Sequence, residues 1–221
     1  MLYLVSTPIG NLEDITLRAI RVLREADVII AEDTRHTGLL LRNFDISHKP
    51  MVSLYDEVEV SKIDEILRQA QDKAVALVSD AGTPLVSDPG YKLVREALKA
   101  GVEVVAIPGP TALVTALTVS GLPPDKFLFL GYPPEKESHQ RELFEKLGLM
   151  SQMCPMSFIF YVSPYKLEKN LRNLGEVLGD IEVVVARELT KVYEEVWHGR
   201  VSEAMAHFKE PKGEMVLMFH L

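Results

Sequence analysis

Three short breaks rich in glycine and proline carry the residue types best suited to holding a small ligand. They are Ser6-Thr7-Pro8-Ile9-Gly10-Asn11, Ser79-Asp80-Ala81-Gly82-Thr83-Pro84 and Pro108-Gly109-Pro110-Thr111-Ala112. Glycine lets a ligand approach the backbone closely, and helix-like sequence just downstream offers N–H groups without intrahelical partners. Any one break could be an ordinary tight turn, but three in one half of a 221-residue chain point to a site. Neither G-x-x-x-x-G-K-[ST] nor G-x-G-x-x-G occurs, so a polyphosphate or a dinucleotide is not the expected ligand. Asp80 and Asp88 flank the second break, and Asp33 follows an apolar run. Such surroundings suit a zwitterion carrying positive charge, although the same aspartates also make good helix caps.

Two charged segments could handle a proton or meet a polyanion. In Glu32-Asp33-Thr34-Arg35-His36, Asp33 reads either as a base or as the cap of a helix beginning near Thr34. The fork of Arg35 suits a phosphate, while His36 fits either a substrate contact or a solvated helix face. In Arg187-Glu188-Leu189-Thr190-Lys191, Glu188 and Lys191 are the acid–base candidates. Arg187 and Lys191 could also contact nucleic acid. No H-E-x-x-H or clustered His/Cys pattern calls for a metal.

The elements that must position these groups alternate between strand and helix. Apolar runs at 2–5, 28–31, 51–54, 75–78 and 102–107 read as buried strands separated by amphipathic stretches. One such stretch places Leu12, Ile15, Ala19, Val22 and Ala26 on a single helical face. This pattern predicts an α/β fold with a mostly parallel sheet covered on both faces. After Pro123-Pro124 the pattern restarts with expected strands at 127–130, 158–162, 183–186, 194–197 and 215–219. Leu167, Leu171, Leu174 and Leu178 mark a helix among them. Less helix separates the last strands, so the second sheet is expected to be mixed. The predicted domains are 1–115, which carries the ligand loops, and 116–221. Ligands of open parallel sheets bind beyond the carboxyl ends of the strands, where all three breaks fall.

Composition narrows the function further. With 47% hydrophobic and 25% charged residues the chain can bury a substantial core. A net charge of −8 argues against gripping nucleic acid by bulk electrostatics. Both halves are acidic, so any RNA contact must use local positive patches. Aromatic residues are few, and no exposed stacking platform is expected. The lone Cys154 excludes an internal disulfide and a multi-cysteine zinc site. The apolar start breaks at Ser6 and Pro8, and no run approaches the roughly 20 residues of a membrane span. A cytoplasmic protein without a membrane partner is expected.

The segments TPIGNLEDIT, AEDTRHTG, VSDAGTPLVSDPGY, IPGPTA and ARELTK, in this order, resemble the small-subunit (16S) ribosomal RNA 2′-O-methyltransferases. That group is a branch of the tetrapyrrole (corrin/precorrin) methylase superfamily, and the likeness covers essentially the whole chain. The resemblance implies a two-domain fold with the ligand cleft between the domains. It also implies a homodimer that methylates the ribose of a cytidine in the small-subunit RNA or the assembled subunit, with S-adenosylmethionine as donor and no metal. It carries the donor contacts onto Pro8, Ala81, Gly82, Thr83, Val86, Thr111, Ala112, Val162 and Leu189. Proton handling then falls to Glu188, Lys191 or Asp33, and RNA contact to Arg35, His36, Arg187 and Lys191. The chain departs from the family in three places. Gly82-Thr83-Pro84 stands where tetrapyrrole methylases often have Gly-Asp-Pro. Leu54-Tyr55-Asp56-Glu57 stands where a His-rich segment is expected, and Val162-Ser163-Pro164-Tyr165 where Glu-Ser/Ala-Pro-His is expected. Two rival readings are a precorrin-type C-methyltransferase and a non-catalytic RNA-binding or assembly protein. Thr83 and AEDTRHTG speak against the first, acidity and scarce aromatics against the second.

Overall fold

The computed structural model describes residues 1–54 and 59–221, without the side chains of 59–61. Of the segment where a His-rich stretch was expected, Tyr55, Asp56 and Glu57 lie outside the described residues. The chain divides into two compact units, Met1–Thr111 and Ala112–Leu221. The division falls four residues before the expected boundary of 115/116 because the helix opening at Ala112 packs on strands of the second sheet.

The first unit runs β1 (Leu2–Val5), α1 (Leu17–Glu25), β2 (Val28–Ala31), α2 (Thr34–Asn43), β3 (Met51–Ser53), α3 (Glu59–Asp72), β4 (Val75–Val78), α4 (Tyr91–Lys99) and β5 (Val104–Ile107). The strands are all parallel, in the order β3-β2-β4-β1-β5. The runs of β2 and β4 are buried at every position because both faces of the sheet are covered there. Ile29, Ala31 and Val78 join Ala19 and Val22 of α1 and Leu41 of α2 in one cluster. Val28, Ile30 and Leu77 point the other way and join Ile66 of α3 and Leu93 of α4.

Among the boundaries that differ from the sequence reading, two have a clear local reason. The stretch expected to form one helix from Leu12 is cut at Thr16, whose hydroxyl accepts the Ala19 N–H at 3.0 Å. Such a cap contributes about 1 kcal/mol. Upstream, Asn11 caps a separate 3-10 turn at Leu12–Asp14, and Leu12 is left exposed. The strand expected from Val102 starts at Val104 because Val102 still serves α4. Its N–H reaches the Ala97 carbonyl at 3.0 Å, across Gly101 at φ 71°, which closes the helix with a left-handed residue.

The second unit runs α5 (Ala112–Val119), β6 (Phe127–Phe129), α6 (Glu137–Met153), β7 (Ser157–Val162), α7 (Leu167–Leu178), β8 (Glu182–Arg187), β9 (Glu195–Arg200), α8 (Val201–His207) and β10 (Met215–His220). Its sheet is mixed, in the order β6-β7-β10-β8-β9, with only β6 and β7 parallel neighbours. Phe158, Phe160, Val183, Val185, Leu217 and Phe219 form one face and pack on α6, α7 and α8. Each such fully buried side chain contributes about 1.5–3 kcal/mol. The helix expected from the leucine spacing is α7. The pattern did not reveal α6, because its apolar period is blurred at both ends. Gln140 is buried among the amides of Asn170 and Asn173, while Leu149, Met150 and Met153 are exposed.

Candidate active site

The three Gly/Pro-rich breaks follow β1, β4 and β5, which are neighbours in the first sheet. The chain leaving β4 reaches α4 on one face, whereas the chains leaving β1 and β2 reach α1 and α2 on the other. Such divergence falls on both sides of the β4 end, the usual place for a ligand in such a sheet.

The breaks are tied together by neutral hydrogen bonds. Thr7 N–H donates to the Gly82 carbonyl at 2.8 Å, and Gly82 N–H donates back to Thr7 at 3.1 Å. The Thr7 hydroxyl adds a bond to the Ser79 carbonyl at 3.2 Å. The Ser6 and Thr83 hydroxyls lie 3.1 Å apart, and Thr83 donates to the Pro110 carbonyl at 3.0 Å. Pro8, Ala81, Gly82, Thr83 and Thr111 therefore belong to one knot of loops. Gly82 has φ 86°, and a Cβ there would meet Ile9 Cγ2 at 3.2 Å. Gly109 packs as tightly, since its Cβ would lie 2.8 Å from that of Ser6. Val86 sits further along the loop after β4, between two left-handed residues, Leu85 (φ 72°) and Ser87 (φ 68°). A non-glycine residue held there costs about 1–2 kcal/mol, so the loop is fixed by its surroundings and not by local preference.

The charged segment after β2 joins this knot through Asp80. Asp80 Oδ1 accepts the Asp33 N–H at 3.1 Å and lies 3.8 Å from His36 Nδ1. Asp33 itself caps α2, accepting the Arg35 N–H at 2.8 Å. Its carboxylate also holds the Arg35 guanidinium at 2.6 Å. Those side-chain and backbone bonds from Arg35 keep the Asp33 carboxyl well below its usual range. Asp88 goes the other way. Burial pushes its carboxyl up to about 6 against a hydrogen bond from Ser79, helped by the nearby charges of Glu32 and Asp80.

In the second unit, the ends of β6, β7 and β8 and the starts of β9 and β10 share one edge of the sheet. The segment after β8 is held there by ions. Lys191 Nζ bridges Glu188 at 3.0 Å and Glu214 at 2.8 Å. Glu188 also accepts the Glu214 N–H at 2.9 Å, the main cause of its lowered pKa. Lys191 is raised by its two carboxylates against the cost of partial burial. Arg187 pairs with Glu195 at 2.9 Å, and Glu195 also meets His207 at 2.7 Å. Glu188 and Thr190 adopt left-handed backbone, at φ 49° and 68°. Leu189 between them is buried, and the Val162 side chain lies in the core, so a ligand would reach Val162 through its backbone.

Residue spacing could not reveal Glu214 or Glu195, which pair across the sheet from 23 and eight residues away. Gly213 is the one local signal, since a Cβ there would collide with the Glu188 side chain. One expectation needs correction. Tyr132, Tyr165 and Tyr193 are exposed, so aromatic surface is available despite the low aromatic content. All three sit on connections between strands, where the chain buries little apolar area. Among the described residues no group of three or more His, Cys, Asp or Glu could hold a metal ion. No described helix is long and apolar enough to cross a membrane.

The tetrapyrrole (corrin/porphyrin) methylases match residues 1–205 of this chain. The chain belongs to that family. Similar proteins extend over nearly its whole length. A Ribosomal RNA small subunit methyltransferase I of Thermotoga maritima is 46% identical over 220 residues, covering 98% of this chain and 96% of the relative. Proteins of the same name from Erythrobacter litoralis and Escherichia coli O157:H7 are 50% and 47% identical. Each covers 98% of this chain, which spans 76% of each of them. The chain is a methyltransferase with the parallel first sheet and mixed second sheet expected of its family.

Proposed function

We propose that this methyltransferase transfers the methyl group of S-adenosylmethionine to the ribose 2′-hydroxyl of a cytidine in small-subunit ribosomal RNA. The observation that carries this reading is near full-length identity to relatives named for that RNA. The knotted loops fit the donor. The three breaks contain no Lys or Arg, Asp80 and Asp88 lie on the loop after β4, and the backbone is open at the exposed Ala81. That chemistry suits a cationic sulfonium better than a phosphate chain. Pro8, Ala81, Gly82, Thr83, Val86 and Thr111 of the first unit would contact the donor, as would Ala112, Val162 and Leu189 of the second. When bound, the donor supplies an already activated methyl group, so the protein must align the acceptor and accept its proton.

Arg35, Arg187 and Lys191 are our candidates for phosphate contact. Each is already paired with a carboxylate, so RNA must exchange one ion pair for another. Glu188 and Asp33 are held as anions by their own partners and serve here to shape the two charged segments. The protein works in the cytoplasm as a homodimer, a reading carried by resemblance and checked by sedimentation equilibrium. A mass of 24.8 kDa well above micromolar concentration would exclude the dimer.

The substrate test is tritium transfer from labelled donor into small ribosomal subunits taken from a strain lacking the gene, followed by mapping of ribose methyls. Label in one cytidine ribose is expected. Label in a base, or in a tetrapyrrole offered in its place, would overturn the reading.

A further inference from the structure

We propose that His36 is the catalytic base that takes the proton of the acceptor hydroxyl, with Asp80 as its positioning residue. The inference rests on the ribose-methylation reading above. His36 lies in the first turn of α2, at the carboxyl edge of the first sheet, with its side chain about half exposed. Its Nδ1 faces Asp80 Oδ1 at 3.8 Å. The same oxygen is anchored by the Asp33 N–H, so Asp80 sits at a fixed point between the β2 and β4 ends. Nε2 has no hydrogen-bond partner among the described residues and remains available to accept a proton.

The other acid–base candidates are committed elsewhere. Asp33 binds Arg35 through its side chain and backbone. Glu188 and Glu214 share the ammonium of Lys191, which leaves Lys191 protonated and without a lone pair. The charged groups around His36 are Asp80 from the loop after β4, the Asp33–Arg35 pair on its own element, and Asp88 and Glu32 beside Asp80. A carboxylate at Nδ1 favours the tautomer with hydrogen there, which leaves the Nε2 lone pair bare. A separation of 3.8 Å is loose for such a bond, and catalytic hydrogen bonds commonly tighten only when substrate is present.

In the step itself the hydroxyl proton moves to Nε2 as an oxygen electron pair forms the new O–CH3 bond. The S–CH3 bond breaks, and its electron pair stays on sulfur, which becomes a neutral thioether. The imidazolium then releases the proton to water.

The first test needs no turnover. In the free protein, 15N-resolved imidazole spectra should show His36 protonated at Nδ1 and bare at Nε2, and Asp80→Asn should abolish that preference. The second is single-turnover transfer into small subunits. With subunits saturating, His36→Ala should slow it about a hundred-fold or more, and added imidazole should restore part of the rate. Asp80→Asn should fall between His36→Ala and wild type. Loss of RNA affinity without loss of the bound-state rate would make His36 a binding residue and overturn the proposal. So would an Nε2–H tautomer in wild type, or loss of transfer in Asp88→Asn but not in His36→Ala. If wild type itself labels no ribose, the substrate reading fails while the spectra still report on the pair.

Discussion

The two charged and strained edges of this molecule are built by different means. In the first unit the loops after β1, β4 and β5 are joined by backbone and hydroxyl hydrogen bonds, and no ion pair holds Thr7, Gly82 and Thr83 together. In the second unit the segment after β8 is held by Lys191 between Glu188 and Glu214, and by Arg187 on Glu195. Neutral bonds in a buried setting are indifferent to salt and pH, whereas partly exposed ion pairs are screened and titrate. The first edge is therefore a fixed frame, and the second can exchange its internal partners for an external anion.

The sharpest break in that contrast is Gly82→Val. Its left-handed backbone and the contact with Ile9 put strain and overpacking on the knot, together about 2–4 kcal/mol. Thermal melting should fall by several degrees, and calorimetry should find no donor binding even where circular dichroism shows a folded protein. Donor affinity equal to wild type would remove Gly82 from the site.

A smaller effect is expected at Asp88, a titrating group on the loop after β4. Its folded carboxyl is raised above the unfolded value, so the folded state binds the proton more tightly. Stability from this group is full below about 4, the unfolded pKa, and is lost as pH rises through about 6. Allowing for its partial exposure, Asp88→Asn should stabilise the protein by about 1 kcal/mol at pH 7 and change little at pH 4. Denaturant titrations at the two pH values decide this.

The second edge has the opposite sign at the acid end. Glu188 is lowered on folding, so its contribution is present above about 4.3 and fades as pH falls through its folded value. Lys191 is raised, so its share persists through neutral pH and fades only as pH climbs past its folded value. Lys191→Met should cost about 1 kcal/mol at neutral pH, measured in denaturant, and high salt should shrink the difference. No salt dependence would mean that packing of the lysine stem, and not charge, holds the segment.

The smallest effect on the fold is expected at Arg35→Ala, since the pair with Asp33 is exposed and local. Melting should not change measurably. RNA binding should weaken, with its salt slope shallower by about one unit. An unchanged slope would take Arg35 out of the phosphate-contact set.

The first unit was read from the sequence more completely than the second. Runs such as Val28-Ile29-Ile30-Ala31 are apolar at every position because a parallel sheet buries both faces, and that signal survives without any knowledge of partners. The three Gly/Pro breaks were visible for the same local reason. Hidden from it was α6, whose buried Gln140 answers to amides on α7 and not to its own neighbours. Also hidden was the order β3-β2-β4-β1-β5, which brings residue 7 against residue 82 and residue 33 against residue 80. Local periodicity and turn chemistry thus determined the strand segments, the helices α1 and α7 and the places where the Gly/Pro breaks fall. Only the tertiary structure decided that Asp33 meets Asp80, that Lys191 is shared by two carboxylates and that Asp80 faces His36. Protonation and availability depend on groups brought close through space, and sequence separation carries no record of that distance.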